Sequence, residues 1–312
     1  MMPRRGSIEG VAHSLPHDNL WPRAGYWFQD ARETPVDCDL AYLGVPAWRT
    51  SISNTGAHAT PAAVREALFR YSTWSASHDV DLRELSAADF GDVRDPDGPE
   101  GEANVIARVA EIVQLSRLLV AVGGDNSLTY GTALGTYGGQ LPTAGLVTLD
   151  AHYDLRDGES NGSPVRRLIA AGLAGKRVVQ VGIADFANSA EYAARARDYG
   201  IHVVHRDVLN RRPIEDVMTE ALDIAGAAGG PIHVDLDVDV CDRAVVPGCP
   251  AAMPGGISAD ELRRAAYVAG AAPAVRSLDI AEIDATSDAP DGRTVRLAAL
   301  LILEAAAGLA AR

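Results

Sequence analysis

The chain has 312 residues, a formal net charge of −14, 47% hydrophobic and only 5% aromatic residues. That length suits one large or two small domains, and the apolar content is ample for a sizeable core. The acidic balance argues against nonspecific nucleic-acid binding and against anionic membrane surfaces.

Residues 1–35 are polar, with Pro and Arg interspersed and no clear period, and read as a surface arm or loose helix. Met-Met-Pro-Arg-Arg has no apolar segment behind it, and no apolar run approaches membrane-span length. Cys38, Cys241 and Cys249 are odd in number and lack zinc-type spacing, which fits small buried hydrophobes in a reducing compartment. The protein therefore reads as cytosolic.

Asp39–Val45 is a short apolar strand, followed by a Ser/Thr/Asn/Gly loop over 47–60. Pro61 opens a helix at its first position, with Thr60 as its cap. Ala88–Val93 is a second strand, Glu102–Ser116 a helix, and Leu118–Val122 a fully apolar strand that stops at Gly123-Gly124-Asp125-Asn126-Ser127. A helix leads into the strand Ala144–Leu149, whose end packs Asp150, His152 and Asp154 into five residues. If the strand continues, a period of two puts these three side chains on one side of the backbone, where they can bind a borderline divalent metal. The plainer reading of that cluster is a solvated polar turn.

A polar loop over 158–164 precedes a helix from Val165 to Ala174; Arg177–Gly182 and His202–His205 are strands, and Ser189–Tyr199 and Ile214–Ala225 helices. Pro231–Leu236 delivers a second acidic group, Asp235, Asp237, Asp239 and Asp242. Ser258 and Glu261 form a capping box that opens the helix Ala259–Ala269, with Gly270 as its stop. The strand Val275–Ile280 ends in Ala-Glu282-Ile-Asp, and Thr294–Ala311 closes the chain as an amphipathic helix.

Continuous apolar strands alternating with helices predict an α/β fold: a three-layer α-β-α arrangement with a largely parallel central sheet of about eight strands, covered on both faces. In such sheets sites lie beyond the carboxyl ends of the strands. Four polar clusters sit at four such ends, and two acidic strand ends would repel each other unless a cation lay between them. Oxygen-dominated ligands with one imidazole favour Mn²⁺ over zinc.

Gly123-Gly-Asp-Asn-Ser, Asp150-Ala-His-Tyr-Asp and Asp237-Val-Asp-Val-Cys-Asp242 resemble the three signatures of the arginase/agmatinase/formiminoglutamase (ureohydrolase) superfamily. Ser51-Ile-Ser-Asn-Thr-Gly-Ala, Asp154-Leu-Arg, Asn161-Gly-Ser-Pro-Val-Arg-Arg and Pro247-Gly-Cys-Pro-Ala resemble its formiminoglutamase branch, in order, over about residues 36–310. The resemblance implies a single arginase-like domain over 36–312 that holds two divalent cations. Asp150 and Asp237 would bridge them, Asp154 would complete the first, and His152 with Asp239 the second. Asn126 stands where the superfamily usually has a ligating His; its amide oxygen either ligates the first cation or only hydrogen-bonds. Asp235 falls where Ser or Thr is common, behind the ligands.

The implied reaction is hydrolysis of a non-peptide C–N bond in a linear amidine, N-formimino-L-glutamate giving L-glutamate and formamide. A urea-releasing agmatinase or guanidino-acid hydrolase, and a catalytically degenerate member, are the competing readings. Asp154 would hold the nucleophilic water and pass its proton to the leaving nitrogen. Glu282 would face the cationic amidine, or else be an ion-paired strand-end residue. A substrate with two carboxylates needs guanidinium contacts, for which Arg156 is the first candidate. Asn161 and Arg166 are further substrate-binding candidates, with a solvated surface role open for Arg166 and Arg167. Trimers or hexamers are common in the superfamily, which implies a homo-oligomer.

Overall fold

The computed structural model describes Pro16 and residues 18–312. One sheet holds nine strands in the order β1 (Phe28–Asp30), β5 (Ala87–Asp92), β2 (Cys38–Val45), β6 (Ser116–Gly123), β11 (Val275–Ala281), β10 (Ile232–Asp237), β7 (Gly145–Leu149), β8 (Val178–Ile183) and β9 (His202–His205). Every pairing within it is parallel. A separate two-stranded antiparallel pair joins β3 (Trp74–Ser75) to β4 (Val80–Asp81). The ninth strand of the main sheet is β1, drawn from the segment that sequence alone reads as a surface arm. It pairs with β5 at the sheet edge, where three residues need little hydrophobic pattern to be held. Residues 1–15 and 17, the rest of that reading apart from 16 and 18–35, lie outside the described residues.

Alternate strand residues divide between two helical layers. Leu118, Val120, Val122, Val147, Leu149, Val234, Leu236 and Ile280 join one cluster with α1 (Thr60–Leu68), α7 (Ile214–Ala225), α8 (Ala259–Ala271) and α9 (Arg293–Ala310). On the opposite face, Leu43, Leu119 and Ala121 pack with α2 (Gly98–Leu115). Leu146, Val178 and Ile183 pack there with α3 (Leu128–Tyr137), α4 (Pro164–Ala171) and α5 (Ala190–Tyr199). A short α6 (Arg206–Leu209) follows β9. The second face carries two apolar clusters because its middle is polar: Thr148, Gln180, His233, Asp235, Ser277 and Asp279 are all fully buried.

Three local expectations change in the folded chain. Thr60 is the first residue of α1 and not its cap. Its hydroxyl donates instead to the carbonyl of Ile283 at 2.5 Å, tying the helix to the end of β11. Helix α4 stops at Ala171, before the expected Ala174, because Gly172 takes a positive φ of 121°. Helix α8 runs through Gly270 to Ala271. A Cβ on Gly270 would sit 2.1 Å from the carbonyl oxygen of Ala305, so this glycine sets the close approach of α8 and α9. The Ser258/Glu261 capping box is present.

Candidate metal centre

β6, β11, β10 and β7 are consecutive in the sheet, so their carboxyl ends meet at its middle. Segments distant in sequence thereby deliver Asn126, Glu282, Asp237 and Asp150 to one place; Asn126 and Glu282, in hydrogen-bond contact, are 156 residues apart. Beyond these ends lies a cavity of about 360 Å³, lined in part by His152, Asp154, Asp237, Asp239 and Glu282. Asp150 lies beneath them, fully buried.

Backbone amides set the carboxylates. The N–H of His152 donates to Asp150 Oδ1 at 2.6 Å, that of Ala151 to Asp239 Oδ1 at 2.8 Å, and that of Asp239 to Asp237 Oδ1 at 2.8 Å. His152 Nδ1 lies 2.7 Å from Asp239 Oδ2 and 3.4 Å from Asp150 Oδ1. One ligand atom from each of Asp150, His152 and Asp239 falls within 4.8 Å of the others. Among the described residues Asp150 Oδ2 is buried without a hydrogen-bond donor. A buried carboxylate oxygen left bare is costly unless an ion or proton meets it. The donor set, carboxylate oxygens with one imidazole, fits Mn²⁺-type divalent ions.

Electrostatics point the same way. Burial first, then the Asp239 charge, pushes Asp150 up to about 7. Asp154 and Asp237 are held well above the ordinary carboxylate range, by burial and then by Asp150 and Asp239 respectively. Glu282 is raised to about 8 by burial and then by Asp125. For His152 burial opposes the charge, but Asp239 and Asp150 outweigh it and raise the imidazole to about 12. Burial and mutual repulsion thus disfavour a full set of charges on these carboxylates unless a positive charge lies among them.

Two of its residues hold left-handed backbone, Asp154 at φ 53° and Glu282 at φ 60°. Such conformations cost about 1–3 kcal/mol each in non-glycine residues and concentrate at functional sites. Glu282 Oε1 accepts from the backbone N–H of Asn126 at 2.9 Å and from Asn161 Nδ2 at 2.6 Å. Asn161 Oδ1 in turn accepts from the N–H of Ile52 at 3.0 Å, which joins the 47–57 loop to the site.

The sequence candidates divide on this geometry. Asp150, His152, Asp154, Asp237, Asp239, Asn161 and Glu282 are brought together. Asn126 is buried beside them with its amide nitrogen donating to Asp154 Oδ2 at 2.6 Å. Its carbonyl oxygen accepts from the Thr129 hydroxyl at 2.7 Å, an arrangement that turns the oxygen away from Asp154. Arg156 lines the cavity, exposed, with no partner for its guanidinium among the described residues. Arg166 does not line it: its guanidinium donates to the carbonyls of Arg156 (2.6 Å) and Gly158 and so shapes the loop that carries Arg156. Arg167 pairs with Glu102 at 2.5 Å and stacks on Tyr130. Asp242 accepts from the N–H groups of Ala244 and Gly255, organising the following loop.

Sequence reasoning placed Asp235 behind the ligands but passed over Thr129, Asn188 and, in the buried layer beneath the site, Thr148, Gln180, Ser277 and Asp279. Asn188 clamps the 150–154 segment by accepting from the N–H of Tyr153 and donating to the carbonyl of Ala151. Below Asp237, Asp235 lies between Thr148 and Asp279 in register. Asp279 contacts His233 at 3.0 Å, and His233 contacts Ser277 at 2.7 Å. The alternation His233, Asp235, Asp237 in one strand was the available signal.

A model of the arginase family matches residues 38–308. The formimidoylglutamase of Halalkalibacterium halodurans is 33% identical over 275 residues, 84% of each chain. The crystal structure of Bacillus subtilis formimidoylglutamase superposes with a TM-score of 0.88 at 28% identity, covering 95% of this chain and 94% of that one. That of Trypanosoma cruzi formiminoglutamase with Mn²⁺ has the same fold, with a TM-score of 0.86 at 24% identity over 94% of this chain and 99% of that one. The strand-end carboxylates, the sheet that assembles them and these likenesses agree: the chain belongs to the arginase family.

Proposed function

We propose that the chain hydrolyses N-formimino-L-glutamate to L-glutamate and formamide in the cytoplasm, using two divalent cations, Mn²⁺ by preference. The observation that carries the substrate assignment is Arg156. Among the described residues it is the only Lys or Arg lining a cavity that also holds the carboxylates Asp154, Asp237, Asp239 and Glu282, and its guanidinium has no partner there. A dianionic tail suits that group, whereas agmatine, which has no carboxylate, leaves it without a partner. The kinship with formimidoylglutamases supports the same choice.

Asp150, Asp154 and Asp237 would hold the first cation, and Asp150, His152, Asp237 and Asp239 the second. Bound there, the ions supply the Lewis acidity that makes water nucleophilic near neutral pH and offset the crowded negative charge. Asp154, oriented by the Asn126 amide, holds the attacking water and carries its proton to the departing nitrogen. Glu282 faces the amidinium; both donors that fix it bind Oε1, which leaves Oε2 without a protein donor among the described residues. Arg166 acts through the loop carbonyls that set Arg156. Asn161 holds Glu282 and the 47–57 loop in register with the site.

A homo-oligomer, a trimer or hexamer, is proposed on the family resemblance alone; it would cover some of the exposed apolar side chains Leu20, Trp21, Tyr26 and Trp74. Among the described residues no helix is long and apolar enough to cross a membrane. The deciding experiment loads the protein with Mn²⁺ and measures formamide against urea from formimino and guanidino substrates. Formamide from N-formimino-L-glutamate is the expected product; urea release with no formamide would refute the substrate assignment.

A further inference from the structure

The N–H of Arg156 donates to the carbonyl of Gly162 at 3.0 Å, and both residues line the cavity together with Ile52. A Cβ on Gly162 would fall 2.8 Å from Arg156 Cδ, 3.2 Å from its Nε and 3.1 Å from Ile52 Cδ1. The far part of the Arg156 stem therefore lies over the bare Cα of Gly162, with the tip of Ile52 beside it. Gly162 is outside the left-handed region, so its φ does not require glycine. The nearest atoms around the place of a methyl group belong to those two side chains and not to backbone. One residue earlier, Asn161 donates to Glu282 Oε1. Adjacent residues thus steady the acid, through Asn161, and give the guanidinium stem its room, over Gly162.

We propose that Gly162, with Ile52 beside it, determines specificity for anionic tails: the missing side chain leaves the space in which the Arg156 stem lies along the cavity wall. The inference deepens the assignment of Arg156 above and rests on it. Any side chain at position 162 displaces that stem, and Ile52 already occupies the space next to it. The guanidinium then meets a carboxylate away from the geometry its fork requires. The amidine end is spared, because Glu282 is held by Asn161 and by the backbone of Asn126. Position 162 therefore selects on the charge of the tail and leaves the bond-breaking step alone.

The test is steady-state kinetics on the Mn²⁺-loaded full chain, with circular dichroism melts to verify folding. It compares N-formimino-L-glutamate with N-propylformamidine, an amidine whose tail carries no charge. Gly162→Ala should raise KM for the dianionic substrate about tenfold, the lower end of what losing the Arg156 contact outright would cost, with kcat nearly unchanged. For the uncharged amidine kcat/KM should stay near wild type. Added to Arg156→Ala, Gly162→Ala should raise KM no further, because the stem it displaces is gone. If Gly162→Ala does not fold, Ile52→Ala removes the other wall and should raise KM for the dianionic substrate alone. An unchanged KM in Arg156→Ala would sink the reading of Arg156 itself. A raised KM there, with wild-type KM in Gly162→Ala, would overturn only the role of Gly162. A fall in kcat on both substrates, or a KM effect that persists without Arg156, would overturn it too, since the methyl group would then act through Asn161 or the fold.

Discussion

Arg156 and Glu282 reach the same cavity for opposite reasons. Glu282 is buried, strained and held by two amides. Arg156 is exposed, and only the loop beneath it is fixed, through Arg166. A rigid acid at the reacting end and a looser guanidinium at the tail end suit a substrate read at both ends. Replacing Arg156 by Ala should raise KM for the dianionic amidine tenfold to roughly a hundredfold, as expected for loss of a charge-assisted contact of about 1.5–3 kcal/mol. The kcat should change little, and an unchanged KM in steady-state kinetics would remove Arg156 from the pocket. Asn161→Ala should instead lower kcat, because it frees both Glu282 and the N–H of Ile52.

At the scale of elements, the site depends on close approach as much as on side chains. A Cβ on Gly124 would fall 1.8 Å from the carbonyl oxygen of Ala47, and that carbonyl accepts the N–H of Asp125 at 2.9 Å. The glycine thus permits the loop after β2 to bind the turn that presents Asn126. The pairing of α8 with α9 depends similarly on Gly270. Gly270→Ala should destabilise the fold by about 1–3 kcal/mol through overpacking, measured by urea denaturation. Because α8 and α9 cover the face away from the site's buried polar layer, the surviving folded fraction should keep its kcat.

For the whole molecule, the concentration of buried carboxylates governs how stability responds to pH. In the metal-free chain Asp150 is raised from 3.8 to about 7 and Glu282 from 4.5 to about 8. Between those limits the folded chain binds more protons than the unfolded one, so stability must fall as pH rises. His152, raised from 6.5 to about 12, adds the same slope above pH 6.5. Asp239, lowered from 3.8, acts only in acid and does not oppose it in this window. The melting temperature in chelator should therefore fall from pH 5 to pH 8, and Mn²⁺ should restore it most at the alkaline end by binding the folded state. A flat or rising metal-free profile in scanning calorimetry would contradict this linkage.

Local chemistry is what the sequence alone determined. Apolar runs, their polar terminations and the capping box at Ser258 depend on neighbours within a few residues, and they mark every strand of the main sheet except β1, most helices and the metal-ligand candidates. Tertiary structure decided what depends on distant partners. The sheet order sets the ends of β6, β11, β10 and β7, which lead to Asn126, Glu282, Asp237 and Asp150, side by side, and an edge segment with no clear pattern becomes β1. Gly270 proves to be a helix contact and not a stop, because Ala305 lies against it. Arg166 and Arg156, ten residues apart, part company as loop support and cavity lining. Asn126 meets Asp154 with its amide nitrogen and Thr129 with its amide oxygen, and no pattern of residue types shows which end of an amide meets which neighbour. Periodicity records which face a residue shares with its own segment; packing between segments supplies everything it meets across the fold.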